Sequence, residues 1–182
     1  MILKIDRGKA PSASPTWKVP PPSPLNVVKL NVDATIKASA ATIAVVARNS
    51  ARSIIHLWSK NLLTNDPCIA ESTAILWAPE IAQTEEFLHI IVEGDAKICL
   101  DAITEELSSC PWRIRPLISN IKCLALNFVS CHFCWVGRCA NELALLLAKF
   151  VSTCPVSLCC NPFYFPPSVR EAWIRDLSLL SL

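Results

Sequence analysis

Three acids, Asp33, Glu71 and Asp95, are the residues of this chain whose type and placement could do chemistry together. Asp33 ends the run Val27-Val28-Lys29-Leu30-Asn31-Val32-Asp33. There Val28, Leu30 and Val32 fall on one face and Val27, Lys29, Asn31 and Asp33 on the other, the period of a half-buried strand. A carboxylate at that point, followed by Ala34-Thr35, sits on rigid backbone where a loop begins, a position from which to hold a cation. A turn-initiating Asp is the plainer alternative. Glu71 falls in the first turn of a helical pattern, and Asp95 lies between a short apolar run and the next helix, where N-capping alone would account for it. If the first and fourth strands are neighbours, all three converge on one edge. Carboxylates gathered without a cation repel one another, so convergence predicts bound divalent metal, and oxygen ligands favour Mg2+ or Mn2+. Two such ions about 4 Å apart activate a water and stabilise the leaving oxygen in phosphodiester hydrolysis.

The elements that must position these acids follow from periodicity. Ala41 to Arg48 (ATIAVVAR) and Ile54 to Trp58 read as a second and third strand joined by the polar turn Asn49-Ser50-Ala51-Arg52, giving an antiparallel meander. From Ile69 to Gln83 the pattern turns helical, with Ala70, Ala74, Trp77 and Ile81 inward. Pro79 removes the bond to the Ile75 carbonyl and is expected to kink that helix, at about 3 kcal/mol. Leu88 to Val92 reads as a strand covered on both faces. A helix over 96–106 follows, burying Cys99, Leu100, Ile103 and Leu107; a third helix after Pro111 turns Ile114, Leu117, Ile118, Ile121, Ala125 and Phe128 inward. Val129 to Val136 is a last strand. Asn141 to Val151 is a last helix, with Leu143, Leu146, Leu147, Phe150 and Val151 as its stripe. The expected class is α/β, a mixed five-stranded sheet flanked by helices.

Residues 1–25, rich in proline, read as an extended linker, residues 26–153 as the domain, and 154–182 as a Pro-rich tail. In the tail, Ser168-Val169-Arg170-Glu171 resembles a capping box opening a short helix. Val169, Trp173, Leu177 and Leu180 lie on one side of it, for docking on the core or on a partner.

Hydrophobic residues make up 52% of the 182, which argues for a packed core and against disorder. Lys and Arg total 17 against 15 Asp and Glu, so no long-range basic field exists and any nucleic-acid contact must be local or salt-sensitive. No apolar run approaches the ~20 residues of a membrane helix, and the opening MILKIDRGKA lacks a signal-peptide core; a soluble intracellular protein is expected, with cytoplasm and nucleus not distinguished. The ten cysteines are then expected reduced, without disulfide partners. Cys131 and Cys134 have metal-ligand spacing, but on a strand they point to opposite faces, with only Cys154, Cys159 and Cys160 to complete a set. His56, His89 and His132 read as strand residues, and Trp58, Trp77, Trp112 and Trp135 as core or edge packing. Three glycines are few, since average usage would give about thirteen.

Taken in order, KLNVDAT around Asp33, AESTAILWA around Glu71, IIVEGDAKICLDAI around Asp95, SCPWRIRPLISNIK and WVGRCANELALLLAKF resemble a type 1 ribonuclease H domain, in particular the plant reverse-transcriptase-like branch, from about Val27 to Val151. The PPP run before this stretch and PPSVREAWIRDL after it resemble the usual surroundings of that group. The resemblance implies cleavage of RNA in RNA-DNA hybrids by metal-activated water, with two Mg2+ or Mn2+ ions held by Asp33, Glu71, Asp95 and a fourth ligand. It also places Arg138 and Asn141 near the active edge, where they could touch phosphate; an exposed Arg followed by an N-cap Asn is the ordinary explanation.

The fourth ligand is lost: its position is Leu145, which periodicity puts nearly opposite the apolar stripe. Glu142, about 60° away around the helix, is the nearest substitute. The family's glycines are replaced by Ala34, Thr42 and Ala44 and within Asn49-Ser50-Ala51-Arg52, which threatens close approach and turn geometry. Its basic, Trp-bearing protrusion is absent. Three functions follow: a weakened hybrid ribonuclease, a non-catalytic module that binds nucleic acid or protein, or a degraded retroelement-derived copy.

Overall fold

The computed structural model describes residues 27–106, 110–154, 157–160 and 166–178, with side chains in the last segment as far as Arg175. The linker 1–25, Leu107, Leu180 and the side chain of Leu177 lie outside the described residues.

Strands β1 (Val28–Ile36), β2 (Ala41–Arg48) and β3 (Ile54–Leu62) form the expected antiparallel meander. β1 does not end at Asp33. Asp33 pairs with Ala44 and the ladder continues to Ile36 opposite Ala41, closed by a bond from the Lys37 amide to the Ala40 carbonyl of 2.8 Å. The hairpin partner, invisible to a single-strand pattern, carries β1 three residues further. β4 (His89–Gly94) lies parallel to β1, and β5 (Ser130–Trp135) parallel to β4, so the first and fourth strands are neighbours. The sheet has six strands rather than five, in the order β5-β4-β1-β2-β3-β6. The extra one, β6 (Leu158–Cys160), comes from the Pro-rich tail and is too short to show a period; it pairs with β3 through Leu57, Trp58 and Ser59. His56, His89 and His132 all lie in strands.

Helix α1 (Pro67–Thr84) begins two residues earlier than its apolar period because Asp66 caps it. One Asp66 carboxylate oxygen accepts from the Cys68 and Ile69 amides at 2.9 and 3.2 Å, and Pro67 takes the first position, where a missing N–H costs nothing. Glu71 therefore stands in the second turn. The helix runs through Pro79 without ending. α2 (Lys97–Thr104) and α3 (Arg115–Ala125) follow; α4 (Glu142–Ser152) is entered by a 3-10 turn, Arg138–Asn141, and α5 (Pro167–Ser178) closes the described chain. Ser168 is inside α5, so it does not cap it.

Two apolar cores sandwich the sheet. On one side Leu30, Val32, Ile43 and Val45 meet α1, α2 and α3; on the other Ala44, Val46, Ile54 and Leu57 meet α4 and α5. The buried side of α4 is Leu143, Ala144, Leu147, Ala148 and Val151, while Leu146 and Phe150 are only half-buried. The helix has rotated toward its alanines, whose small side chains allow close approach to the sheet. Leu145 is consequently half-buried rather than turned fully away. Val169 and Ala172 of α5 are buried against this layer, so the tail is part of the fold. Of the tryptophans, Trp58 is buried, but Trp112 is 74% exposed with Arg113 over its ring, and is not core.

In the turn Asn49–Arg52, where the resemblance leads one to expect a glycine, Arg52 adopts φ 62°, the left-handed conformation that glycine takes without strain.

Candidate active site

Asp33, Glu71 and Asp95 come together. Each offers a carboxylate oxygen, and the three oxygens lie within 4.8 Å of one another. Asp33 is supplied from inside β1, Glu71 from α1, and Asp95 from the turn after β4, whose parallel pairing with β1 brings the turn alongside. Asp95 is not the cap of α2: Ala96 holds that position, with no side-chain bond to the helix. The Asp95 carbonyl instead accepts from the Lys97 amide at 3.0 Å and from the Trp135 indole at 3.1 Å. Gly94 permits the strand's close approach, since a Cβ there would stand 3.2 Å from the Val32 side chain.

The electrostatics are those of buried carboxyls crowded together. Burial, and then Asp95, push the Asp33 carboxyl up to about 7, against the Ala34 amide and the cations Arg138 and Lys149. Burial, then Asp33 and Asp95, push Glu71 up to about 9, against the same Ala34 amide and Arg138. Three clustered carboxylate oxygens, two of them on carboxyls that burial and mutual repulsion push upward, fit a hard divalent ion such as Mg2+ or Mn2+. Ala34, where the resemblance expects a glycine, still offers its amide to both carboxyls. Among the described residues this is the one such group of acidic, His or Cys ligands. All ten cysteines are free thiols.

Asn141 and Arg138 both reach the site, differently from an exposed pair. Asn141 is fully buried and makes no side-chain cap bond; its amide donates to the Val32 carbonyl at 2.8 Å and to Asp33 at 3.2 Å. Arg138 is exposed, its Nε 3.9 Å from the Asp95 carboxylate. Glu142, the nearest substitute expected for a fourth carboxylate, does not join the three acids; its carboxylate pairs with Arg175 of α5 at 3.1 Å. Leu145 lies one turn beyond Asn141 on the same side of α4. Lys149, one turn further, is close enough to act on Asp33 and was missed in the sequence, where an exposed Lys near a helix C-terminus is unremarked; its spacing of four from Leu145 was the available signal. Trp135, expected to pack, is 40% exposed on the same rim.

A mixed sheet with this strand order, helices on both faces and three acids meeting beside its central parallel pair defines a ribonuclease H-like fold. The chain belongs to the reverse transcriptase-like family, which residues 31–151 match. Among solved structures it is similar to the RNase H1 of the halophilic archaeon Halobacterium salinarum, at 20% identity and TM-score 0.65, over 70% of this chain and 98% of that one. It is also similar to an N-terminal RNase H domain from Mycobacterium tuberculosis, at 17% identity and TM-score 0.63, over 70% and 94% of the two chains. A third is LC11-RNase H1 in complex with an RNA/DNA hybrid, at 16% identity and TM-score 0.61, over 68% and 94%. No curated protein sequence matches the chain.

Proposed function

We propose that this chain is a divalent-metal-dependent nuclease for the RNA strand of RNA-DNA hybrids, of the type 1, plant reverse-transcriptase-like kind, with activity lowered by Leu145. The observation that carries the proposal is the convergence of Asp33, Glu71 and Asp95 within 4.8 Å. When bound, Mg2+ or Mn2+ would supply an activated water and stabilisation of the leaving oxygen. Asp33, Glu71 and Asp95 would hold the ions. Asn141 fixes the Asp33 carboxylate by its 3.2 Å bond, and Arg138, exposed at the rim, is placed to meet a phosphate of the substrate strand. With Leu145 in place of a carboxylate, an ion beside it would be held more weakly, and turnover would then need high metal concentration.

The test is a hybrid-cleavage assay with Mg2+ and with Mn2+, comparing the wild type with Asp33→Asn. Metal-dependent cleavage lost in the variant supports the reading; equal background rates remove it. Leu145 itself favours a second reading, a module that binds nucleic acid without turnover. That reading predicts hybrid binding by the wild type at low salt, no cleavage at any metal concentration, and some cleavage on Leu145→Asp.

A further inference from the structure

Behind the three acids lies a second polar group that the proposed chemistry does not use. Lys29, Asn31 and Glu93 are all buried, at 7%, 0% and 4% exposure. The Glu93 carboxylate joins them, one oxygen accepting from Lys29 at 2.7 Å and the other from Asn31 at 3.1 Å. A buried ion pair is a poor device for stability, because desolvation offsets most of the attraction and apolar residues of equal volume do as well or better. Its value lies in specifying an arrangement.

The arrangement here is the alignment of β1 on β4. Asn31 and Glu93 are register partners in the parallel ladder, and two residues beyond each stands an acid of the site, Asp33 and Asp95. Lys29, Asn31 and Asp33 share one face of β1. Sliding β1 by one residue would turn Lys29 and Asn31 to the opposite face and strand Glu93 without either partner. Lys29 and Glu93 bring opposite charges together at 2.7 Å, so their fields largely cancel at a distance and the pair bears on the site through position.

We infer that Glu93, gripping Lys29 and Asn31, is a positioning residue that sets the spacing of Asp33 against Asp95 and thereby the affinity for the divalent ion. The inference rests on the metal-binding reading above, and its test reads metal without nucleic acid. Mn2+ binding to the full chain is measured by calorimetry and by paramagnetic line broadening, beside thermal unfolding. Three chains are compared: the wild type; Glu93→Gln, which can keep both links if the Asn31 amide flips to present its unpartnered oxygen; and the apolar triple replacement Lys29→Met, Asn31→Leu, Glu93→Leu. The triple variant is expected to hold its Tm within about 4 °C while its Mn2+ affinity falls at least about tenfold; Glu93→Gln should stay within about threefold of wild type. If the triple variant does not fold, Asn31→Leu alone is read, with an expected loss of about threefold. A folded apolar variant with wild-type Mn2+ affinity overturns the inference and leaves the nuclease reading standing. Wild-type Mn2+ binding without hybrid cleavage sinks the nuclease reading and leaves the positioning role testable by the same variants. A folded wild type that binds no Mn2+ overturns both.

Discussion

At the scale of single residues, the raised carboxyls make a pH prediction with a definite sign. In the folded, metal-free protein Asp33 and Glu71 titrate near about 7 and about 9, far above their unfolded values, so the folded state holds more protons across that interval. The contribution of these two carboxyls to the stability of the metal-free protein therefore falls as pH rises from about 4 to about 9, because the slope of unfolding free energy follows the protons bound unfolded minus those bound folded. A divalent ion replaces those protons, so the rise in Tm on adding Mn2+ should be larger at about pH 8.5 than at about pH 5.5. Thermal melts at the two pH values check this; a metal-induced shift that is the same at both would mean the acids are not the ligands. Leu145→Asp is the companion test. A fourth carboxylate should raise hybrid cleavage at limiting Mn2+ by at least about tenfold, while lowering the metal-free Tm by added repulsion. Glu142→Gln should leave cleavage unchanged, since its carboxylate is engaged by Arg175. Asp33, Glu71 and Asp95 were legible as acids that could converge, although only Asp95 lies between elements: Asp33 is inside β1 and Glu71 in the second turn of α1. What periodicity could not carry was detail set by partners: Asn141 looked like a cap and is a buried donor to Asp33, and Lys149 drew no notice because its effect depends on where α4 lies over β1.

Elements were legible wherever a one-dimensional period decided them. β2 was read to the residue, since both its ends coincide with polar turns. β1 and β3 were read short because a hairpin ladder extends strands beyond their alternation, and α1 was read late because its start is set by Asp66 and Pro67 rather than by apolar spacing. The turn between β2 and β3 offers a direct test of the glycine deficit. Arg52 at φ 62° bears the left-handed penalty, of about 1 kcal/mol, that glycine avoids, part of it returned by the greater unfolded-state freedom of glycine. Arg52→Gly should thus stabilise the chain by up to about 1 kcal/mol in chemical denaturation with no change of m-value. A loss of stability would show that the Arg52 side chain contributes more than its backbone costs.

For the molecule as a whole, the tail is a structural part and not an appendage. β6 extends the sheet and Val169 and Ala172 are buried against α4, so a chain ending at Thr153 leaves that apolar layer bare; it should unfold at lower temperature and aggregate where the full chain stays monodisperse by light scattering. Charge at this scale decides how a nucleic acid would be held. The net charge is only +2, and the cations acting on the site are Arg138 and Lys149. If those two supply the phosphate contacts, the logarithm of hybrid affinity should fall with the logarithm of salt at a slope near about −2, costing only about tenfold between about 50 and about 200 mM salt. Fluorescence anisotropy of a labelled hybrid with Asp33→Asn, which prevents cleavage during the titration, reads that slope. Arg138→Ala should lower it by about one while weakening binding to every sequence alike. A slope several times steeper, unmoved by Arg138→Ala, would place the main phosphate contacts on another basic surface and leave the acids without a substrate strand held over them.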